Sequence, residues 1–213
     1  TLHYAVRYYA SPHITASWAK LEYAVRSGQS AFESVYGMPK FDYLKTHPDE
    51  ARVFDAFMRH SPEDRHAAVV DACDFSEAGL VVDIGGGNGA LLERFAHRFE
   101  AATGSFFQSI PVGGDVYTMS QILHDWNDAQ CQSILSNVQA AMRPGARLLV
   151  IERLLEGHSN PVIYLADINM MVNLQGRERT LEEFTALLTQ TGFSAPRVVR
   201  TRSSFCILET IRL

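Results

Sequence analysis

The sequence has little of several features that would assign it to other classes of protein. No apolar run reaches the ~20 residues of a membrane span, and the N-terminal residues lack a signal peptide's hydrophobic region. The three cysteines (Cys73, Cys131, Cys206) are far apart and odd in number, which is typical of reduced thiols rather than a disulfide framework or metal site. With 19 basic against 24 acidic residues and no basic run, nucleic-acid binding is disfavoured. We expect a cytoplasmic protein with no nucleic acid and no membrane as partner.

What the sequence does have is a globular composition, with helices first and mixed elements later. Its 213 residues are 46% hydrophobic and 20% charged, which suits a globular fold with a full core. Residues 1–78 are expected to form a helical segment, and residues 79–213 a catalytic α/β domain. The helices predicted in the first segment are Ile14–Ser27, Pro48–His60 and Pro62–Ala72.

Strands and helices alternate from residue 79 onward. This alternation indicates a mostly parallel sheet covered on both faces, closed by an antiparallel C-terminal hairpin. Beyond the first strand, the predicted strands are Asp115–Met119, Arg147–Ile151, Arg197–Thr201 and Phe205–Ile211, and the helices are Asp128–Met142, 161–173 and 180–191.

The stretch Leu80–Leu92, LVVDIGGGNGALL, has the pattern of a ligand-binding turn. A short apolar, β-branched run ends in glycines, and a helical period follows from Ala90. Glycines let a ligand approach the backbone, and a helix N-terminus presents unpaired N–H groups. The sequence therefore predicts a strand, a glycine turn and a helix (Asn88–Arg98) that bind a nucleotide-like ligand.

Two ligands fit this turn, and Asp83 favours one of them. Residues Gly85–Ala90 satisfy the dinucleotide pattern G-x-G-x-x-A. Asp83, two residues before the first glycine, gives D-x-G-x-G-x-G, which is similar to the first motif of class I S-adenosylmethionine (SAM) methyltransferases. A carboxylate there opposes a dinucleotide's pyrophosphate but suits SAM, which carries an ammonium, a sulfonium and no phosphate. SAM is the expected cofactor, and an NAD(P)-dependent Rossmann enzyme is an alternative.

One part of the chain is too short for a complete parallel sheet. After the helix predicted at Asn88–Arg98, only Phe99–Thr103 precede Gly104, which leaves no room for a second strand and another crossover. Either the sheet is reduced or the sequence omits a segment near residues 98–104. We favour the omission.

A polar cluster is expected where two strands end. His124 lies in ILHDWND after one predicted strand, and Glu152 ends the next, so parallel pairing places the two side chains close together. A histidine with a carboxylate on one ring nitrogen is a positioned general base, because its tautomer is fixed and its cation is stabilised. His124 alone would be read as a packed or surface histidine; the carboxylates of Glu152 and Glu178 change that interpretation.

Together these stretches resemble one known family. LVVDIGGGNGALL, ILHDWND, the strand end at Glu152 and DINMMVNLQGRERTLEEF occur in the order found in plant-type (caffeic-acid-like) O-methyltransferases and their bacterial natural-product relatives. The resemblance covers residues 20–213 and implies a class I, Rossmann-like methyltransferase fold, SAM as donor, no metal and a small aromatic hydroxylated substrate. It also implies that His124 is the catalytic base, flanked by Glu152 and Glu178.

The resemblance further implies which residues bind the two substrates. Trp126 matches an aromatic that packs on the adenine, and Met58 a helix residue near the SAM methyl group. The cofactor-binding residues expected in this way are Asp83, Gly85, Gly87, Ser105, Phe106, Ser120, Trp126 and Met58. The residues expected in the acceptor pocket are Met170, Asn173 and Asp125.

The sequence departs from the family pattern in three places. It shows no counterpart of the family's N-terminal winged-helix dimerisation domain, so a homodimer is expected if the full-length chain carries that domain. The acid that binds the SAM ribose falls in the gap near residue 98. Ser105 stands where the family usually has an aspartate that contacts the adenine.

Other chemistries share parts of this pattern. Asp125, Asn127 and Asp128 suggest a Mg²⁺ site like that of the small catechol methyltransferases, but residues this close at a helix start do not easily surround an octahedral ion. Some relatives with this fold use SAM for decarboxylation, hydroxylation or pericyclic steps, and a SAM-binding module would need Asp83 and the glycines alone. The complete histidine and glutamate set favours O-methyl transfer, since a phenol needs deprotonation.

Overall fold

A computed structural model describes residues 2–60, 64–87, 89–95, 104–156 and 161–213. The helices are α1 Leu2–Tyr9, α2 Pro12–Trp18, α3 Leu21–Ser27, α4 Ala31–Tyr36, α5 Lys40–Thr46, α6 Pro48–Arg59, α7 Arg65–Ala72, α8 Leu92–Phe95, α9 Asp128–Ala141, α10 Pro161–Asn173 and α11 Leu181–Gln190. The strands are β1 Val81–Ile84, β2 Val116–Ser120, β3 Arg147–Glu152, β4 Arg197–Arg200 and β5 Cys206–Ile211. Among these described helices, none is long and apolar enough to cross a membrane.

The chain divides into two compact units. The first contains Thr1–Glu63 and His158–Glu178, and the second contains Asp64–Gly157 and Arg179–Leu213. Helix α10 therefore belongs with the N-terminal helices, because its Val172 packs among residues of α3 and α4. Helix α7 belongs with the sheet, where Val69 packs on strand residues. A boundary between residues 78 and 79 does not follow these units, so the functional division expected there stays a prediction.

The first unit is helical, as predicted for the N-terminal residues. Its apolar clusters join α2, α3 and α4 to α10 and, separately, α4 and α5 to α6. The prediction of one continuous helix over Ile14–Ser27 is wrong. Lys20 has φ −105° and ψ 26°, outside the helical region, and the chain turns there. The turn allows Trp18 and Leu21 to pack in the same cluster with α10.

The second unit is built on a five-stranded sheet with the order β1-β2-β3-β5-β4. Strands β1, β2 and β3 are parallel, while β5 is antiparallel to both β3 and β4. The predicted mostly parallel sheet with a C-terminal antiparallel hairpin is confirmed. Because parallel strands end at the same edge of a sheet, the ends of β1, β2 and β3 bring Asp83, Ser120 and Glu152 to one edge.

Both faces of this sheet are covered, as the continuous apolar strand sequences require. Helices α9 and α11 pack on one face, and residues from α7 and the turn before α8 pack on the other. The capping boxes predicted from sequence are present: the Asn127 side chain accepts from the Gln130 N–H, and the Thr180 side chain accepts from the Glu183 N–H.

The segment after the glycine turn is described only in part. The helix predicted at Asn88–Arg98 is observed at Leu92–Phe95, and Asn88 and residues 96–103 lie outside the described residues. The omission expected near residues 98–104 falls largely there. Among the described strands, β1 pairs only with β2 and is an edge of the sheet.

Candidate active site

His124 lies on a short 3₁₀ turn, Leu123–Asp125, which follows the carboxyl end of β2. Its side chain is 7% exposed. Nδ1 is 3.7 Å from Oε2 of Glu152, and Nε2 is 3.3 Å from Oδ1 of Asp125. The imidazole therefore lies between two carboxylates, an arrangement that stabilises its protonated form.

Glu152 has two separate contacts with this turn. It is fully buried as the last residue of β3. Its Oε1 accepts hydrogen bonds from the backbone N–H of Leu123 at 2.9 Å and of His124 at 3.4 Å, while Oε2 faces the imidazole. The predicted proximity of Glu152 and His124 is confirmed, and the same carboxylate also fixes the backbone that carries the histidine.

Asp83, at the end of β1, has one bonded and one unbonded carboxylate oxygen. Oδ1 accepts from the hydroxyl of Thr118 at 2.7 Å, directly across the β1–β2 register. Oδ2 is buried and has no hydrogen-bond partner among the described residues. Burial raises the pKa of Asp83 to about 6, although the bond from Thr118 lowers it. A buried carboxylate in this state is costly, and a cationic ligand would satisfy it.

Two positions of the adjoining turn require glycine. Gly85 has φ +68°, and an added Cβ would lie 2.4 Å from Cδ1 of Ile122. An added Cβ at Gly86 would lie 2.2 Å from Oδ2 of Asp83 and displace the carboxylate. Gly87 has nothing within 4 Å of its own added Cβ, so its backbone is open to a ligand.

An aromatic group lies beside the glycine turn. The rings of Phe106 and Phe107 contact Trp126 edge-on, with centroids 6.0 and 4.8 Å apart respectively. A Cβ at Gly85 would lie 3.6 Å from Phe106, so turn and aromatic group adjoin. The Ser105 hydroxyl accepts from the Phe107 N–H at 3.3 Å and thus stabilises the local turn. The structure therefore brings Gly85, Phe106 and Trp126 together.

Two polar side chains at the end of β2 have no partner in the described part of the chain: Ser120 Oγ and Gln121 Oε1 are both buried there. Gln121 also has φ +55°, a left-handed conformation uncommon outside glycine that concentrates at functional sites. Sequence reasoning selected Ser120 but missed Gln121, because its strain depends on the chain's path and not on residue type. Thr118 was also missed, although a hydroxyl opposite Asp83 could have been found from the strand register.

Three candidate residues belong to the first unit: Met58, predicted near the SAM methyl group, and Met170 and Asn173, predicted in the acceptor pocket. Met58 on α6 and Met170 on α10 are both half-buried. Asn173 is fully buried, and its Nδ2 donates to Oδ1 of Asn169 at 2.9 Å. Its Oδ1 is buried without a partner among the described residues, an acceptor available to a ligand. Trp18 Nε1 also donates to Asn169 Oδ1, at 3.3 Å, a network that the sequence did not reveal.

Glu178 closes the first unit. It is 2% exposed, and its backbone N–H donates to Oδ1 of Asp167 on α10 at 2.9 Å. This glutamate is thus buried just before α11 in the sequence, and its role in catalysis stays a prediction.

A known protein family matches most of this chain. The family model for the O-methyltransferase domain matches residues 18–101 and 93–194. O-demethylpuromycin-O-methyltransferase of Streptomyces alboniger is 36% identical over an alignment that covers 85% of this chain and 58% of that enzyme, so this chain spans less than two thirds of its length.

Solved structures of O-methyltransferases share the fold. The mitomycin 7-O-methyltransferase MmcR has a TM-score of 0.95 and 29% identity, covering 100% of this chain and 72% of that one. NcsB1 of neocarzinostatin biosynthesis, solved with SAM and 2-hydroxy-5-methyl naphthoic acid, has a TM-score of 0.85 and 27% identity, with 99% and 74% covered. The sheet, the glycine turn and the family match agree, and the chain belongs to the O-methyltransferase domain family.

Proposed function

We propose that this chain transfers the methyl group of SAM to a hydroxyl of a small aromatic compound, with His124 as general base and without a metal. The observation that carries the proposal is the His124 turn. A buried imidazole at a strand's carboxyl end lies between the carboxylates of Glu152 and Asp125, which stabilise the cation that forms when a general base accepts the proton of an acceptor hydroxyl. Asp125, beside Nε2, adds to the stabilisation of the imidazolium.

The residues at the end of β1 fit SAM. Oδ2 of Asp83 is a buried acceptor that a ligand ammonium would satisfy, and Gly87 leaves the backbone beside it open. Trp126 and Phe106 offer an apolar edge for an adenine. When bound, SAM supplies an electrophilic methyl group on a sulfonium. The pyrophosphate of NAD(P) would instead meet a carboxylate, which disfavours the dinucleotide alternative.

The base and the positioning of the acceptor contribute unequally. A phenol of pKa ~10 is about one part in a thousand ionised at pH 7, a deficit of roughly 4 kcal/mol. General-base catalysis typically supplies ~10²–10⁴-fold, which offsets that deficit and little more. Alignment of the acceptor oxygen with the methyl group can supply effective molarities of ~10⁵–10⁸ M. The shape of the pocket should therefore select the substrate.

The contacts of Asp128 support a mechanism without a metal. This carboxylate accepts from Nη2 of Arg179 at 2.8 Å and from Nε at 3.1 Å. A guanidinium so close opposes a divalent cation at the same oxygen. The Mg²⁺ alternative would require Asp128 to leave this pair.

The acceptor class rests on two observations. Asn173 offers a buried carbonyl oxygen to a hydroxyl, and NcsB1 was solved with a hydroxylated naphthoic acid. We therefore propose a flat, hydroxylated aromatic natural product as acceptor. The homodimer expected from the family stays a proposal, tested by light scattering on the full-length protein.

The test is the His124→Ala variant, with His66→Ala on α7 as a matched control outside the site. SAM consumption is measured with 2-hydroxy-5-methyl naphthoic acid and related hydroxylated aromatics as probe acceptors, and methylated product is identified by mass spectrometry. His124→Ala should lower kcat by ~10²–10⁴ at pH 7 and leave the Kd for SAM nearly unchanged, because the base contacts only the acceptor. Raising the pH should partly restore activity, since hydroxide then ionises the phenol.

Three results would contradict the proposal. Full activity of His124→Ala at pH 7 would show that the histidine is structural. Binding of NAD(P) in place of SAM would refute the methyltransferase assignment. SAM consumption that yields a decarboxylated or hydroxylated product would assign the chain to the relatives that do not transfer the methyl group.

A further inference from the structure

Arg179, next to Glu178 in sequence, is a fully buried arginine that the proposed mechanism does not use. Its side chain is 0% exposed. Nη1 donates to the carbonyl oxygen of Leu123 at 2.7 Å, and Nη2 donates to the carbonyl oxygen of Trp126 at 2.7 Å. These two carbonyl groups flank His124 along the chain. The guanidinium therefore holds the carbonyl side of the turn that carries the proposed base.

The opposite side of the same turn is held by Glu152. Its Oε1 accepts from the N–H groups of Leu123 and His124. The thiol of Cys131 also donates to the carbonyl oxygens of Leu123 at 3.2 Å and Trp126 at 3.5 Å. The Glu152 carboxylate thus accepts from the N–H groups of this short turn, and the Arg179 guanidinium donates to its C=O groups.

Both groups are fixed to the same strand region. Glu152 is the last residue of β3, and Arg179 forms a parallel bridge with Leu154 just beyond it. The carbonyl oxygen of Arg179 accepts from the N–H of Leu155 at 2.9 Å. The two charged side chains that contact the His124 turn are therefore both attached through their backbones to the end of β3.

The choice of arginine has a physical reason. A buried guanidinium is costly unless its donors are satisfied, and here two carbonyl oxygens and the half-exposed Asp128 accept from it. Its planar fork reaches three acceptors at once, whereas the ammonium of lysine is a point charge on a flexible stem. A lysine at position 179 could pair with Asp128 but could not hold both carbonyl groups in the same geometry.

We propose that Arg179 is a positioning residue for His124, which it acts on through the backbone of the Leu123–Trp126 turn. The idea rests on the proposed function for its effect on rate, but the order of the imidazole can be measured without any acceptor. A displacement of about 1 Å in a reacting group can reduce a rate ~10²-fold, so a loosened turn should lower kcat strongly.

The experiment compares Arg179→Lys and Asp128→Asn with matched surface controls. Arg202→Lys and Asp71→Asn alter an exposed ion pair of the same unit, joined at 2.7 Å. Proteins labelled with ¹⁵N-histidine are studied by NMR with S-adenosylhomocysteine, and the His124 signals are assigned with His124→Gln. Wild type and both controls should show one imidazole tautomer with a protected Nδ1 proton. Arg179→Lys should lose that proton signal, and Asp128→Asn should show it weakened.

Kinetics then connect this order to catalysis. Arg179→Lys should lower kcat by ~10²-fold, while KM and the SAM Kd change less than about twofold. With an acceptor that is already ionised at the assay pH, the decrease in kcat should be smaller, because no base is needed. Unchanged His124 signals in a folded Arg179→Lys protein would overturn the proposal, as would equal losses in the surface controls. If Arg179→Lys does not fold, the Asp128→Asn variant provides the test: a weakened Nδ1 proton signal of His124 would support the proposal, and an unchanged signal would overturn it. Loss of the proton signal without methyl transfer by wild type would refute the proposed function and leave the positioning role intact.

Discussion

Replacing Asp83 by asparagine should make the unliganded protein more stable and its SAM binding weaker. Burial raises the pKa of this carboxyl from its ordinary 3.8 to about 6. The folded state thus holds the proton more tightly than the unfolded chain does. Stability associated with this group is fully present below about pH 4 and is lost as the pH rises through 6. At 1.36 kcal/mol per pKa unit, the ionised carboxylate costs about 3 kcal/mol at neutral pH.

The Asp83→Asn variant removes this cost and retains the neighbouring bond. In wild type the Thr118 hydroxyl donates to Oδ1 of Asp83 at 2.7 Å. The amide oxygen of the asparagine can accept the same hydrogen bond. The free energy of unfolding should rise by up to about 3 kcal/mol at pH 7.5 and change little at pH 4. SAM should bind ~10- to 100-fold more weakly, because a charge-assisted hydrogen bond of roughly 1.5–3 kcal/mol is lost.

Urea denaturation at the two pH values and calorimetric titration of SAM measure both effects. Wild-type affinity for SAM should also fall ~10-fold from pH 7 to pH 5, as the ionised fraction of a group with pKa near 6 falls, and Asp83→Asn should lack this dependence. Asp74→Asn is a control for which the change in stability should have the opposite sign. Hydrogen bonds from Ser76 hold the pKa of Asp74 below its ordinary value, so this variant should not gain stability at pH 7.5. An Asp83→Asn protein that is less stable at pH 7.5, or that binds SAM as wild type does, would refute the reasoning.

Three further predictions concern the metal, the turn and the chain. Activity should survive EDTA and gain nothing from Mg²⁺; loss with EDTA that Mg²⁺ restores would move the chemistry to Asp125 and Asp128. Gly85→Val should abolish calorimetric SAM binding by displacing Ile122, whereas Gly113→Val, also at positive φ but with open surroundings, should retain it. If a segment is omitted near residues 98–104, tryptic mapping of the natural protein should find no peptide running continuously from Phe99 to Arg147, because the Arg143–Pro144 bond resists trypsin, and finding that peptide would contradict the omission.

The sheet was predictable because the sequence of each strand carries its own local pattern. The apolar runs before Asp83 and Glu152 are short, β-branched and bounded by polar or glycine residues, which is the pattern of buried parallel strands. The helix starts at Asn127 and Thr180 carry capping boxes that need no tertiary information. The proximity of Glu152 to His124 followed from one rule, that neighbouring parallel strands end at the same edge.

What the sequence did not predict depends on contacts between distant segments. The break between α2 and α3 occurs at Lys20, which is a reasonable helix former, and it serves the packing on α10. The strain at Gln121 arises where the chain leaves β2 for the His124 turn. Arg179 lies 55 residues beyond His124 in a stretch that reads as a polar helix start, and only its hydrogen bonds to two carbonyl groups distinguish it.

Asp83 on β1 and Glu152 on β3 are buried at the same edge of the sheet, but their carboxylates have different hydrogen-bond partners. We therefore expect Glu152 to contribute to folding and Asp83 to contribute to ligand binding. One oxygen of Glu152 accepts two backbone N–H groups, so its burial is compensated within the chain. Oδ2 of Asp83 lacks such a donor among the described residues, so its burial is compensated only when a cation arrives. A ligand at 100 times its Kd adds about 2.7 kcal/mol of stability to the state that binds it. SAM should therefore raise the melting temperature of wild type more than that of Asp83→Asn, whereas Glu152→Ala, which removes the acceptor of both N–H groups, should weaken the fold with or without SAM.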